Sequence, residues 1–387
     1  MSSENGTLGR VVSTQNGDMR MALSLLPLNQ LRNLMPGTLY VGIDLGTTHI
    51  KVAGLRQNQH GATLQFHAVI DLVETYQIET IEDIQPDHYI EQLLKIVAAY
   101  RIEKAVLSSS LPANQALIDT IKIRADQNSE EVAETIQKQL EQVSPVPLED
   151  MQIACHALSG EDVETDSISL LSCAVPNTIL EKHRALLAKC GLVASIVDVD
   201  AFGLFNTLFY FINKKIAAPV ILVHVGASYT VCLIMQPHRP PFFYVIEKGG
   251  NQVTTGIMDQ IGMPFFKAEA FKKKMQQRNW SERSQFRESK LSSLYRDFAQ
   301  ELLGNVRKCV RHYQTQQGVA AMNKVLLTGG SATLPYLVET SEEVLSFPTT
   351  IWNPLSRFRR SRDDVSANPD AAGLQLPVVL GAVLRGD

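Results

Sequence analysis

The sequence predicts an α/β protein of two related lobes. Strand-like apolar runs alternate with stretches of helical apolar spacing, and one strand–turn–strand unit occurs twice. The 387 residues are enough for two compact bodies, or for one domain split in two. The two copies read "LYVGIDLGTTHIKVAGL" (39–55) and "VILVHVGASYTVCLIM" (220–235). Each runs apolar strand, polar residue (Asp44, His224), one residue, glycine (Gly46, Gly226), small hydroxyl residues, apolar strand.

Residues 1–20 are rich in serine, glycine and asparagine and read as a disordered tail. From Tyr40 to Leu55 the pattern is strand, turn, strand, and "LQFHAVIDL" (64–72) offers a third strand. Residues 87–101 carry apolar groups at helical spacing, and "KAVLSSSLP" is a strand running into a loop at Pro112. A helix is expected at 129–142 with Ser129 as its N-cap, stopped by "SPVP". Two strands, "MQIACHAL" and "ISLLSCAVP", flank the acidic loop "SGEDVETDS", and the helix "NTILEKHRALLAKCG" closes at Gly191. Residues 196–213 read as a strand leading into an apolar helix buried on more than one face, its "FYFIN" end belonging to the core. Residues 254–317 are helical, with "FKKKM" and "SERSQFRESK" as solvated faces. "KVLLTGGSATLPYL" then gives strand, glycine turn and helix start. The Pro-flanked loop "SRFRRSRDD" (356–364), with Arg357, Arg359, Arg360 and Arg362, is either a solvated face or a contact for acidic lipid heads.

Composition narrows the function. The net charge of −4, from 36 basic and 40 acidic residues, gives no blanket attraction to nucleic acid or an anionic membrane. Cys155, Cys173, Cys190, Cys232 and Cys309 show no CxxC spacing and read as reduced core residues. The nine histidines include no HxxxH pair, which argues against a metal site built by the protein alone. The N-terminus has no secretory signature and no run approaches 18 apolar residues. The expectation is a cytoplasmic protein whose membrane association, if any, comes through a partner.

The chemistry sits in the turns. A phosphate needs clustered backbone N–H donors, which glycine and small residues allow by close approach. Gly46, Thr47 and Thr48 meet that need, Lys51 can reach back as a point charge, and Asp44 beside such a cradle is explained by a hydrated Mg²⁺. The turn joins two strands, so it is not a Walker loop. An ordinary Gly-Thr hairpin is the other reading. Two facing hairpins could clamp one polyphosphate, with further glycine pairs at Gly249–Gly250 and Gly329–Gly330.

The order "GIDLGTTHIK", "VDVDAFGL", "HVGASYT", "KGGNQVTTGI", "LLTGGSATLP" resembles the actin-like ATP-binding superfamily, and within it the PilM family of type IV pilus assembly, over roughly residues 38–387. The resemblance implies an actin-like (duplicated ribonuclease H-like) two-lobed fold. It places a first lobe core at 38–106, 197–219 and 372–387, an inserted small α+β subdomain at 107–196, a second lobe core at 220–254 and 322–371, and a helical subdomain at 255–321. It implies ATP or ADP as ligand. Gly46, Thr47, Thr48 and Lys51 would form the first phosphate loop, and Gly226, Ala227 and Ser228 the second. Gly249, Gly250 and Asn251 would border the cleft, Glu269 and Lys272 would approach the adenosine, and Gly329, Gly330 and Ser331 would bind it. Asp200 matches the acidic position that faces metal or attacking water. The second loop departs from the family's D-x-G with His224, so metal binding is in doubt and hydrolysis is expected to be weak or absent.

The implied partner is a PilN-like inner-membrane protein, held by its cytoplasmic N-terminal peptide, with pilus motor ATPases as further candidates. In the tail of residues 1–37, "LSLLPLNQLR" (23–32) resembles that peptide, so it either packs on the lobe or occupies the partner groove in cis. The other classes in view are a small-molecule kinase, an FtsA-like filament protein of the same superfamily, and a type II secretion component.

Overall fold

The structure, a computed structural model, describes residues 10–11, 22–24, 37–58, 61–158, 167–212, 218–236, 239–277, 290–319, 321–360 and 372–384. It divides into two compact units, 1–31 with 115–183 and 238–240, and 32–114 with 184–237 and 241–387.

The larger unit holds two mixed sheets. The first is built from β3 (Leu39–Leu45), β4 (His49–Asn58), β5 (Gly61–Asp71), β6 (Val106–Leu111), β10 (Ile196–Val199) and β16 (Arg359–Arg360), in the order β10-β6-β3-β4-β5-β16. The second comprises β11 (Val220–Val225), β12 (Thr230–Met235), β13 (Phe242–Ile246), β14 (Lys324–Thr328) and β15 (Thr349–Ile351), in the order β13-β12-β11-β14-β15. Setting β16 aside, the two have the same plan. In each, an antiparallel meander of three strands is extended by two parallel strands on the side of its first strand. The repeat legible as one hairpin is a repeat of the whole sheet.

Burial explains the composition of these strands. Every residue of β11 and β12 is buried, so apart from His224 and Thr230 both read as apolar runs rather than alternating ones. The 28-residue helix α8 (Lys290–Gln317) turns Tyr295, Leu302, Leu303, Val306 and Tyr313 into the core against this sheet. The chain's apolar end, α10 (Pro377–Leu384), is buried at all its residues. It lies against α5 (Asp200–Ile212), where Asn206 Nδ2 donates to the Gly381 carbonyl at 3.1 Å and the Thr207 hydroxyl to the Pro377 carbonyl at 2.6 Å. The α5 helix is buried from Asp200 to Leu208, whereas Tyr210 near its end is exposed and stacks on Phe358, ring centroids 5.8 Å apart.

The smaller unit is one sheet, β1-β2-β8-β9-β7, of β1 (Arg10–Val11), β2 (Ala22–Ser24), β7 (Leu117–Arg124), β8 (Met151–Leu158) and β9 (Ser167–Pro176). Its helix α3 (Ser129–Val143) buries Val132, Ile136 and Leu140 in a core with Ile121, Ile153 and Ala174.

Several expectations change. The helix cap is Asn128, not Ser129: its Oδ1 accepts from the N–H groups of Glu130 and Glu131, and Glu131 returns the bond to its backbone at 2.9 Å, a capping box. This unit is narrower than the expected insertion of 107–196, because β6 and β10 pair with each other and β6 with β3 in the larger unit. Within the expected tail, Arg10–Val11 pairs with Ala22–Ser24, which adds in parallel to the edge of β8. Of the segment 23–32, Leu23 and Ser24 are in that strand and residues 25–32 lie outside the described residues. Arg359–Arg360 is not loop but strand, because the outer edge of β5 offers backbone partners. Arg362 and "SERSQFRESK" up to residue 289 lie outside the described residues, as does 159–166 of the acidic loop. Among the described residues, no helix is long and apolar enough to cross a membrane.

Candidate functional site

The two hairpin turns close in the same way. Gly46 N–H donates to the His49 carbonyl and Gly226 N–H to the Tyr229 carbonyl, both at 3.0 Å. Gly46 is glycine for a local reason: a Cβ there would sit 2.8 Å from Lys51 Nζ, in the space the ammonium uses. The turn tips meet, the Ser228 hydroxyl donating to Thr47 Oγ1 at 2.9 Å. Between them opens a cavity of about 610 Å³.

Asp44, Gly46, Thr47, Thr48 and Lys51 line this cavity from the first hairpin, and His224, Gly226, Ala227 and Ser228 from the second. Asp200 reaches it from the start of α5, and Glu269 and Lys272 from α7 (Phe265–Gln277). Gly329, Gly330 and Ser331 complete it after β14, followed by turns up to residue 336 rather than by the expected direct helix start; the next helix is α9 (Leu337–Leu345). Gly329 has φ +100°, and a Cβ there would lie 2.4 Å from the Val225 carbonyl oxygen, so only glycine fits the crossing.

Gly249, Gly250 and Asn251 do not line the cavity. They brace its second turn: Gly250 N–H donates to the Gly226 carbonyl at 3.0 Å and Asn251 N–H to the Ala227 carbonyl at 2.8 Å, from the first residues of α6 (Gly250–Ile261).

The charges are paired within the wall. Lys51 Nζ is 2.8 Å from Asp44 Oδ2, and the Ser110 hydroxyl donates to the other oxygen at 3.3 Å. Asp200 accepts the Ala113 N–H at 3.1 Å on one oxygen and the Tyr229 hydroxyl on the other. Burial pushes its carboxyl up to about 7, against those two bonds and with help from the Asp44 charge. Glu269 and Lys272 form a buried pair at 2.6 Å, with Lys272 also donating to Thr254 Oγ1 at 2.9 Å and the Gly250 carbonyl at 3.2 Å. Burial would raise the Glu269 carboxyl, but the charges of Lys272 and Lys273 and the hydrogen bonds it accepts from Lys272 and the Thr254 hydroxyl hold it below its ordinary value. The "FKKKM" segment is thus not a solvated face: Lys272 is 3 % exposed and Lys273 pairs with Asp71.

Four residues of the site carry weight beyond those singled out in the sequence. The Tyr89 hydroxyl lies 3.1 Å from both the Gly46 and Thr47 carbonyls and ties the first turn to α2 (Pro86–Tyr100). Burial and the Asp44 charge push its phenol up to about 12, so it stays a donor. His49, whose Nδ1 is 2.8 Å from Thr48 Oγ1, is lowered to about 4 by burial. Tyr229 holds in the second turn the place of His49 in the first, a signal the repeat contained. Lys273 has no such signal; it joins α7 to Asp71 at the end of β5, beside backbone bonds from Phe265 to Glu79 and Phe266 to Ile78 at 3.0 Å and an apolar cluster of Val73, Ile78 and Phe265.

Chemically, the cavity suits an extended polyanion with an uncharged end. One wall offers turn backbone, hydroxyls and Lys51; the other offers the glycine crossing and the Glu269–Lys272 pair.

A family model described as type IV pilus assembly protein PilM matches residues 42–386. Among solved structures, a PilM-PilN type IV pilus biogenesis complex is 17% identical with a TM-score of 0.74, covering 89% of this chain and 97% of that one. MreB 5 of Spiroplasma citri bound to AMPPNP is 11% identical with a TM-score of 0.49, covering 89% and 95%. The ethanolamine utilization protein EutJ of Carboxydothermus hydrogenoformans is 14% identical with a TM-score of 0.46, covering 93% and 94%. The fold is the actin-like one that the motif order implied.

Proposed function

The chain belongs to the type IV pilus assembly protein PilM family, and on that premise we propose that it is an ATP-binding scaffold of a pilus or related secretion complex at the inner membrane. It works in the cytoplasm and holds the N-terminal peptide of a PilN-like membrane protein. The carrying observation is the meeting of the two glycine turns, with Lys51, over one cavity that also takes in Gly329–Ser331 and Glu269–Lys272. ATP or ADP acts as a ligand that fixes the state of the scaffold. Turnover is slow or absent, since both oxygens of Asp200, the candidate catalytic carboxylate, already accept protein donors.

The test is thermal melting of the full chain with millimolar ATP, ADP and GTP. Stabilisation by adenine nucleotides, lost in Lys51→Ala, supports the reading; no shift with any nucleotide overturns it. Metal-dependent turnover at the rate of ordinary ATPases, abolished by Lys51→Ala, would overturn the scaffold role. For the partner, Ala22–Ser24 on the edge of β8 adds to the sheet as an extended peptide does. We read residues 23–32 as a substitute for the partner peptide. Removal of residues 1–36 should then tighten binding of a PilN-type peptide, and unchanged affinity would refute this.

A further inference from the structure

A divalent cation beside the phosphates is the ordinary companion of such a fold, and the donor set can be tested for it. A hydrated Mg²⁺ is held by carboxylates through its waters. The carboxylates lining this cavity are Asp44, Asp200 and Glu269. Asp44 is engaged by Lys51 and Ser110, Asp200 by Ala113 and Tyr229, and Glu269 by Lys272 and Thr254. Among the described residues, no group of three or more His, Cys, Asp and Glu side chains could hold a metal ion. The residues present do not fit the ion.

The two hairpins show where this comes from. In the first, Asp44 stands opposite Lys51 across the strands; at the matching place in the second, His224 stands opposite Val231. An acid and a base in one copy are an imidazole and an aliphatic side chain in the other. His224 lines the cavity, is 8 % exposed, and its Nδ1 is buried with no hydrogen-bond partner. Burial, with the Lys51 charge, lowers the ring to about 4, so it is neutral at physiological pH and carries one N–H to donate.

We propose that this pocket binds the phosphates of its nucleotide without a divalent cation, and that His224 sets this preference by donating a ring N–H to a phosphate oxygen. The inference rests on the nucleotide reading above and is separable from it. Lys51 supplies the neutralising charge, and His224 takes the place where a second carboxylate would have repelled the phosphate and called for a metal.

The experiment is isothermal titration of the full chain with ATP and with ADP, in EDTA and in excess Mg²⁺. The wild type should bind in EDTA with a Kd within about threefold of that in Mg²⁺. His224→Asp should lose about tenfold or more in EDTA and recover with Mg²⁺. His224→Asn, which keeps a short neutral donor, should hold cation-independent binding, while His224→Leu should weaken binding about tenfold in both buffers. Wild-type binding that collapses in EDTA overturns the proposal and leaves the nucleotide reading standing, as does a His224→Leu protein that binds as tightly as wild type. Absence of binding in both buffers overturns the nucleotide reading itself.

Discussion

Asp200→Asn isolates the buried carboxyl at the start of α5 with little change of shape. In the folded protein its pKa is raised from 3.8 to about 7, burial being the main cause. An acid raised on folding keeps its proton where the unfolded chain has lost it. Stability therefore falls as pH climbs from about 4 to about 7, and is level above that. The interval is about three pH units, and at 1.36 kcal/mol each the full penalty is on the order of 4 kcal/mol. About two of those units lie between pH 5 and pH 8, so about 3 kcal/mol of the wild-type loss falls in that range. The asparagine is neutral throughout. It keeps an oxygen for one of the two donors, Ala113 N–H or the Tyr229 hydroxyl, and presents an amide to the other. At pH 5 the variant should be equal to the wild type or less stable by about 1 kcal/mol, and at pH 8 it should be the more stable protein. Urea melts of both proteins without nucleotide, at the two pH values, read this directly. If the difference between them changes by less than about 0.5 kcal/mol between pH 5 and pH 8, the Ala113 and Tyr229 bonds outweigh burial and the reasoning fails.

Three further outcomes follow from the same geometry. Lys272→Met should cost about 3–5 kcal/mol in chemical denaturation, because it leaves Glu269 ionised and buried without its partner; a loss under about 1 kcal/mol would contradict the pairing. Gly329→Ala should lower stability by about 2 kcal/mol or more, since φ +100° and a contact 2.4 Å from the Val225 carbonyl both exclude a Cβ, and an unchanged melting temperature would count against this crossing. Lys273→Ala removes the ion pair to Asp71 and should speed amide exchange at Phe265 and Phe266, whose N–H groups bond to the carbonyls of Glu79 and Ile78, while leaving the β11–β12 ladder protected. Equal acceleration in both places would mean global rather than local loosening.

Much of the site was legible because its chemistry is local in sequence. Gly46, Thr47, Thr48 and Lys51 lie within six residues, and the requirement for close backbone approach shows in the residue types themselves. The second turn was legible because it repeats the first. Tyr89 was not, since an aromatic residue on an amphipathic helix signals only core; its bond to the Gly46 carbonyl spans 43 positions. Gly249, Gly250 and Asn251 were read as bordering the cleft, and the sequence could not show that they do so by bonding to the second turn, because glycine beside a helix start has the same composition whether it touches a ligand or another turn. Arg359–Arg360 reads as solvated loop until the free edge of β5 is in place beside it.

By itself the sequence determined the strand and helix order, the duplication, and the substitution of His224 for a carboxylate, all of which depend on residue type and spacing along the chain. What only the tertiary structure decided is which partners these groups have. Lys51 faces Asp44, Tyr229 takes Asp200, Lys272 is sealed against Glu269, and His224 Nδ1 has no partner. Hydrogen bonding and desolvation act over about 3 Å in space, and separations such as the 29 residues between Asp200 and Tyr229 close to that range only when the duplicated sheets are in place.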